Sequence, residues 1–351
     1  MLNEVSAERA TARVAATVPR IAAVIPAYRA SRTIDRVVGR ALDVADVVIV
    51  VDDACPDRSA TFVRRDERVH VIVHEQNRGV GGATKTGIAE ALRLGAEYVV
   101  KIDSDDQMDT SYVPFMIEIL DRFPEIELVK GNRFSDPATL RTMPALRLIG
   151  NAGLTLLVKF SSGYWTLVDP TNGYFAVRAE TFADAGPESL ADRYFFEIDL
   201  LCAFGLRRRT IAELEMPAIY AGESSSLSIP RVLATFPLRL LNRFLRRLVV
   251  QYLVVELNVG SLCALIGFPL LLFGVVFGAH EWSLSAASGI PRPTGTIILS
   301  LLVFMIGFQL ALQALLFDVQ FGTRTVKLRR DTHAGRSLAA AVRSAGPAGG
   351  L

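Results

Sequence analysis

Residues 259–279 and 296–317 contain no charged side chain, a run of 21 and a run of 22. A helix needs about 20 mostly apolar residues to cross a bilayer, and a core helix of that length normally keeps a polar face. Two membrane spans are therefore expected. The flanking charges orient them. Arg231, Arg239, Arg243, Arg246 and Arg247 precede the first run, and Arg324, Lys327, Arg329 and Arg330 follow the second. The connection 280–295 holds one arginine and one glutamate. Positive residues collect at cytoplasmic ends, so both termini and the region ahead of the spans are expected on the cytoplasmic side of a cell inner membrane. The start of the chain carries Glu4, Glu8, Arg9 and Arg13 without an apolar stretch. Residues 1–19 therefore read as disordered, with no secretory signal.

The net charge of +2 offers nothing to a nucleic acid. Cys55, Cys202 and Cys263 match no metal or redox spacing, and the four histidines form no ligand cluster. Upstream of the spans, strand and helix patterns alternate. Strands are expected over 21–28, 47–51, 69–73, 98–102 and 127–130. Helices are expected over 31–41, with Ser31 as cap, and over 83–94 and 111–123. Alternation of this kind predicts an α/β domain with a mostly parallel sheet and helices on both faces.

Within 138–165 the longest uncharged part, 148–158, is too short to span and suits a core or interfacial helix. Mixed α+β material then completes a domain over 20–225. Over 226–250, Leu240, Leu241, Phe244, Leu245 and Leu248 line one helical face and arginines another. Such a helix should lie among lipid headgroups. Spans follow over 251–318, then a basic tail over 319–351. Small residues such as Gly260, Ser261 and Gly267 would permit packing of the spans between subunits, so a homo-oligomer is a further expectation.

The chemistry gathers at strand ends. Asp103-Ser104-Asp105-Asp106-Gln107 follows the apolar run 98–102 directly. That puts hard oxygen ligands at the lip of the sheet, where ligands of open α/β sheets bind, and suits Mg²⁺ or Mn²⁺ shared with a substrate's phosphates. If the segment is extended, residues 103, 105 and 107 point the same way. A solvated loop or a helix cap would read the same. Asp52-Asp53 ends another strand, where a carboxylate can accept from a base or a ribose, or simply close a turn. Gly79, Gly81 and Gly82 open a helix whose N–H groups could face a phosphate, and Lys85 lies one turn further in. Arg147 sits in an apolar segment, where it is costly without an anion unless it snorkels to headgroups.

Taken in order, Pro26-Ala27-Tyr28, Val51-Asp52-Asp53 with Asp57, Asn77-Arg78-Gly79 and the 103–107 motif resemble the family 2 glycosyltransferases of the GT-A fold. Asn132-Arg133-Phe134, Asp169-Pro170-Thr171-Asn172-Gly173 and the membrane anchor extend the likeness to polyprenyl-phosphate glycosyltransferases of the dolichyl-phosphate-mannose-synthase type. The resemblance covers roughly residues 20–220. It implies a Rossmann-like catalytic domain that moves a sugar from a UDP- or GDP-linked donor to polyprenyl phosphate with inversion. By that likeness Pro26, Tyr28, Asp52, Asp53, Asn77, Gly79, Lys85 and Asp103 hold the nucleotide sugar. Asp103, Asp105 and Gln107 hold Mg²⁺ or Mn²⁺, and Arg133 and Arg147 meet the acceptor phosphate. Asp103, Asp105, Asp169 and Glu197 are the catalytic candidates, with Asp199 a further acidic neighbour. A hydroxyl of a lipid-linked glycan is the alternative acceptor, and it would need one of these acids as general base. A processive synthase is disfavoured because Gln-x-x-Arg-Trp is absent.

Overall fold

A computed structural model of the chain describes residues 20–134, 145–217 and 229–329. The β-branched runs form strands β1 (Ile21–Ala27), β2 (Val47–Asp52) and β3 (Val69–Val73), and the apolar run before the acidic motif forms β4 (Tyr98–Lys101). Later come β5 (Ile126–Asn132), β6 (Phe175–Arg178), β7 (Thr210–Glu215) and β8 (Thr325–Arg329). Among the described residues they make one eight-stranded sheet in the order β3-β2-β1-β4-β6-β5-β7-β8. Only β6 runs antiparallel to its neighbours, β4 and β5. The sheet is thus mostly parallel, as expected.

Its two faces bury separate clusters. Helix α1 (Ile34–Leu42) buries Ile34, Val37, Val38 and Ala41 on one side. Helix α2 (Val80–Arg93) packs on the other, so closely that a Cβ on Gly87 would strike Val24. Helices α3 (Val113–Arg122), α4 (Ala145–Ser162), α5 (Ala179–Asp184) and α6 (Phe196–Leu206) complete the layers.

Two helix starts differ from expectation. Ser31 caps nothing, because the backbone N–H groups of Thr33 and Ile34 both turn back to the Ala30 carbonyl and delay α1. Helix α2 begins at Val80, so Gly81 and Gly82 lie inside its first turn. Gly79 supplies the change of direction at φ +88°, in the region that glycine enters without steric cost.

Helix α7 (Ile229–Val249) lies beside the domain and continues as a π-helical turn, Val250–Val255. It leads into α8 (Val259–Ser288), of 30 residues, and α9 (Thr294–Phe321), of 28. Both are long and apolar enough to cross a membrane. Leu262, Phe268, Leu272, Ile298, Leu302 and Phe308 are exposed along them, the pattern of a lipid-facing surface. The helical hairpin is longer than the charge-free runs, which leaves only residues 289–293 between the helices. Gly260, Gly267 and Gly274 receive Phe317, Leu310 with Ala311, and Phe304 of α9. The small residues expected between subunits are therefore occupied within the chain.

The arginines of α7 also divide. Arg239 and Arg246 are exposed, but Arg243 pairs with Asp199 at 2.6 Å. Arg247 is fully buried, and its guanidinium holds Asp318 of α9 with two bonds of 2.7 and 2.8 Å. Leu240 turns inward, whereas Leu238, Leu241, Leu245 and Val249 face out. Helix α4 likewise exposes Leu148, Ile149, Leu156 and Leu157. Helices α4 and α7 contact each other and both expose apolar side chains. After α9 the chain returns to the domain. Residues expected in a basic tail form β8 and bury Val326 and Leu328 against the sheet.

Candidate active site

The ends of β1, β2, β4 and β5 open into one cavity of about 530 Å³. Pro26, Tyr28, Asp53, Asn77 and Gly79 line one end. Asp53 is buried and accepts from the backbone N–H groups of Arg78 (2.8 Å) and Gly79 (2.7 Å). His74 Nδ1 lies 2.7 Å from the same carboxylate, with Nε2 3.0 Å from the Thr86 hydroxyl. His74 was not legible as a site residue, since its partners come from two other segments.

Asp52 has a different task and does not line the cavity. Its two oxygens accept from Cys55 N (2.8 Å) and Ala60 N (2.9 Å) and close the loop after β2. Lys85 is also drawn away, to Asp192 at 2.6 Å and the Leu190 carbonyl at 2.9 Å. Both residues leave the set expected around the nucleotide sugar, because their charges are already committed elsewhere.

Asp103, Asp105 and Gln107 all line the centre of the cavity. The segment is not extended, however. Residues 104 and 105 form a turn and Asp106 has φ +63°, so the turn brings the three together, in place of strand alternation. Among the described residues no three His, Cys, Asp or Glu side chains close on a metal position. The donor set still fits Mg²⁺ or Mn²⁺: two carboxylates and a carboxamide are hard oxygens, and such ions take their remaining ligands from water and phosphate.

Below this loop Lys101, almost fully buried, reaches Asp103 at 2.5 Å and Glu197 at 3.3 Å. Burial works to lower the pKa of this ammonium, but Asp103 and Glu197 together carry it above its ordinary value. Gly173 makes room, since a Cβ there would collide with the ammonium. A lysine ending an apolar strand was the available signal for this group.

At the β5 end of the cavity, Arg133 is held by Asp169 (Nε 2.9 Å, Nη2 3.2 Å). Asp169 is completely buried. Burial works to raise its carboxyl pKa, but Arg133 and then Lys130 hold it below the usual range. Asp169 therefore positions a guanidinium and is in no place to take a proton from substrate. Asn172 Nδ2, also at the cavity, is buried without a hydrogen-bond partner among the described residues. Asp199 lies away from the cavity, bound to Arg243 and to Ala191 N. Arg147 belongs to α4, but its side chain is outside the described residues. Leu154 of α4 and Phe236 of α7 line the remaining wall, so the cavity reaches the two helices that expose apolar side chains.

An acidic turn with hard oxygen donors thus lies at the lip of a mostly parallel sheet, in one cavity with Asp53, Asn77 and Arg133. The Glycosyl transferase family 2 model matches residues 22–185, a little under half of the chain. The chain is 29% identical over 214 residues to the UDP-N-acetylglucosamine–dolichyl-phosphate N-acetylglucosaminyltransferase of Methanococcus voltae, covering 56% of this chain and 84% of that one. Undecaprenyl-phosphate mannosyltransferase of Micrococcus luteus is 28% identical over 188 residues, covering 52% and 76%. Polyprenol monophosphomannose synthase of Mycolicibacterium smegmatis is 26% identical over 189 residues, covering 52% and 70%. Among solved structures, glucosyl-3-phosphoglycerate synthase from Mycobacterium tuberculosis with Mg²⁺ and UDP aligns with a TM-score of 0.45 at 20% identity, over 70% of this chain and 83% of that one.

Proposed function

We propose that this protein is a membrane-bound, inverting glycosyltransferase that moves a sugar from a UDP- or GDP-linked donor to a polyprenyl phosphate. One observation carries the reading: a single cavity joins an acidic oxygen-donor loop to a buttressed arginine and to apolar side chains, Leu154 and Phe236, of α4 and α7. Asp53, Asn77, Pro26 and Tyr28 hold the nucleoside. Asp103, Asp105 and Gln107 hold Mg²⁺ or Mn²⁺, which when bound neutralises charge on the departing diphosphate as a Lewis acid. Arg133, fixed by Asp169, places the acceptor phosphate, and the unpartnered Asn172 amide offers it or the diphosphate a further donor. The phosphate oxygen attacks the anomeric carbon as the bond to the diphosphate breaks. A phosphate monoester is mostly dianionic at neutral pH, so no protein base is required. Glu197, 3.3 Å from the Lys101 ammonium, orients it. The catalytic domain and both termini lie in the cytoplasm of a cell with this protein in its inner membrane; an extracellular reagent that modified a tag at either terminus would refute that topology.

The acceptor assignment has a direct test. Arg133→Ala is expected to raise the apparent KM for polyprenyl phosphate by about one to two decades, the worth of a charge-assisted bond of roughly 1.5–3 kcal/mol. The KM for the nucleotide sugar should barely move. Arg133→Lys should recover only part, because lysine lacks the two-pronged geometry. A hydroxyl acceptor predicts the reverse: a mild Arg133→Ala and a severe Glu197→Gln. Unchanged acceptor kinetics in Arg133→Ala would remove the phosphate-acceptor mechanism. Mass analysis of the lipid product across a panel of nucleotide sugars identifies the donor.

A further inference from the structure

The acidic loop is held from outside the cavity by one stripe of α1 and the residue that precedes it. Thr33, Arg36 and Arg40 are spaced by three and four, so they share a face. Thr33 Oγ1 donates to the Ser104 carbonyl at 2.6 Å. Arg36 Nε reaches Asp106 Oδ2 at 2.6 Å, and Arg40 Nη1 reaches Oδ1 at 2.9 Å. Both oxygens of Asp106 are thus taken by guanidinium groups, which leaves this carboxylate no part in the cavity. Asp103, Ser104, Asp105 and Gln107 line the cavity and Asp106 does not, while the Ser104 carbonyl and the Asp106 carboxylate are fastened to Thr33 and the α1 arginines. The helix offers a firm anchor, because its opposite face, with Ile34, Val37, Val38 and Ala41, is buried in the core.

The loop needs holding. Asp106 sits at φ +63°, a left-handed conformation that is unfavourable for an L-residue and that aspartate enters more readily than most. A short turn carrying three carboxylates also repels itself, and two guanidinium groups offset that repulsion.

We propose that Thr33, Arg36 and Arg40 form a clamp that presets the metal-binding turn, and that Asp106 is its positioning residue. The clamp holds Asp105 and Gln107 in binding geometry before the ion arrives, so the ordering cost falls on folding and not on metal binding. The proposal rests on the metal reading given above. It differs from a purely local role for Asp106, which glycine could fill equally well.

The test is Mn²⁺ affinity of the full chain in detergent, read by the loss of free-ion EPR signal without substrate. The variants are R36Q/R40Q, D106G, D106A and D105N. Two half-exposed ion pairs together predict about a three- to tenfold weaker Mn²⁺ Kd in R36Q/R40Q and in D106G. D106A should be weaker still, because alanine must also hold the left-handed turn. Raising ionic strength from about 0.05 M to about 0.5 M screens the clamp, so the ratio between R36Q/R40Q and wild type should shrink toward one. The two exposed arginines leave the core untouched, so R36Q/R40Q keeps the proposal testable should D106A unfold. Wild-type affinity in R36Q/R40Q, with Mn²⁺ binding lost in D105N, overturns the clamp and leaves the metal site standing. Wild-type affinity in D106G reduces Asp106 to a backbone role and also overturns it. A wild-type protein that binds no Mn²⁺ overturns the metal reading and the clamp together.

Discussion

Asp105→Asn is expected to abolish sugar transfer while leaving the fold and thermal stability intact. Asparagine matches aspartate in volume and keeps an oxygen to accept the Gln107 backbone N–H, which lies 3.1 Å from Asp105 Oδ1. What it loses is the negative charge that a hard divalent ion requires. Lewis-acid help to a leaving diphosphate contributes several kcal/mol, so the rate should fall by about two to four decades. Product formation from a radiolabelled nucleotide sugar measures this, with thermal unfolding of the same preparation as control. Activity near wild type in saturating Mg²⁺ or Mn²⁺ would remove the metal assignment.

Arg247→Ala should cause the largest loss of stability of any single change considered. Asp318, near the end of α9, is buried and accepts four bonds: two from Arg247, one from Trp165 Nε1 at 2.9 Å and one from the Tyr252 hydroxyl at 2.5 Å. The same guanidinium caps the Phe160 carbonyl at the end of α4. One ion pair therefore ties α4, α7 and α9 together where the membrane hairpin meets the catalytic domain. Breaking a buried pair by removing one partner costs about 3–5 kcal/mol, chiefly because the other charge stays buried. A marked drop in the unfolding midpoint in detergent is expected, and Asp318→Asn should behave alike. Arg247→Met with Asp318→Leu should recover much of the loss, since replacing both charges removes the stranded one. If Arg247→Ala melts with wild type, the node holds nothing together.

Patterns that depend on neighbours in the chain could be read directly. The apolar runs of β1, β2 and β4 became buried strands, β3 lies partly exposed at the sheet edge, and their alternation with amphipathic helices required a mostly parallel sheet. The charge-free runs met the length of a bilayer by themselves. The acidic turn after β4 was legible because strand ends at that edge meet ligands.

Where a side chain's role depends on a distant partner, sequence did not suffice. Asp52 and Asp53 are adjacent and chemically identical, yet one closes a loop and the other lines the cavity, because strand alternation turns them to opposite sides. Lys85 sits where a phosphate contact was expected, and Asp192, 107 positions later, takes it away. Arg243 and Arg247 read as headgroup anchors until Asp199 and Asp318 met them. Lys101 became a site residue through its neighbour Asp103 and through Glu197, 96 positions later. The chain alone determined the strands, the two long apolar helices and the acidic turn after β4, because backbone geometry and hydrophobic periodicity are local properties. The tertiary structure decided which charges are available to a substrate, because an ion pair is set by distances that folding closes between residues far apart in sequence.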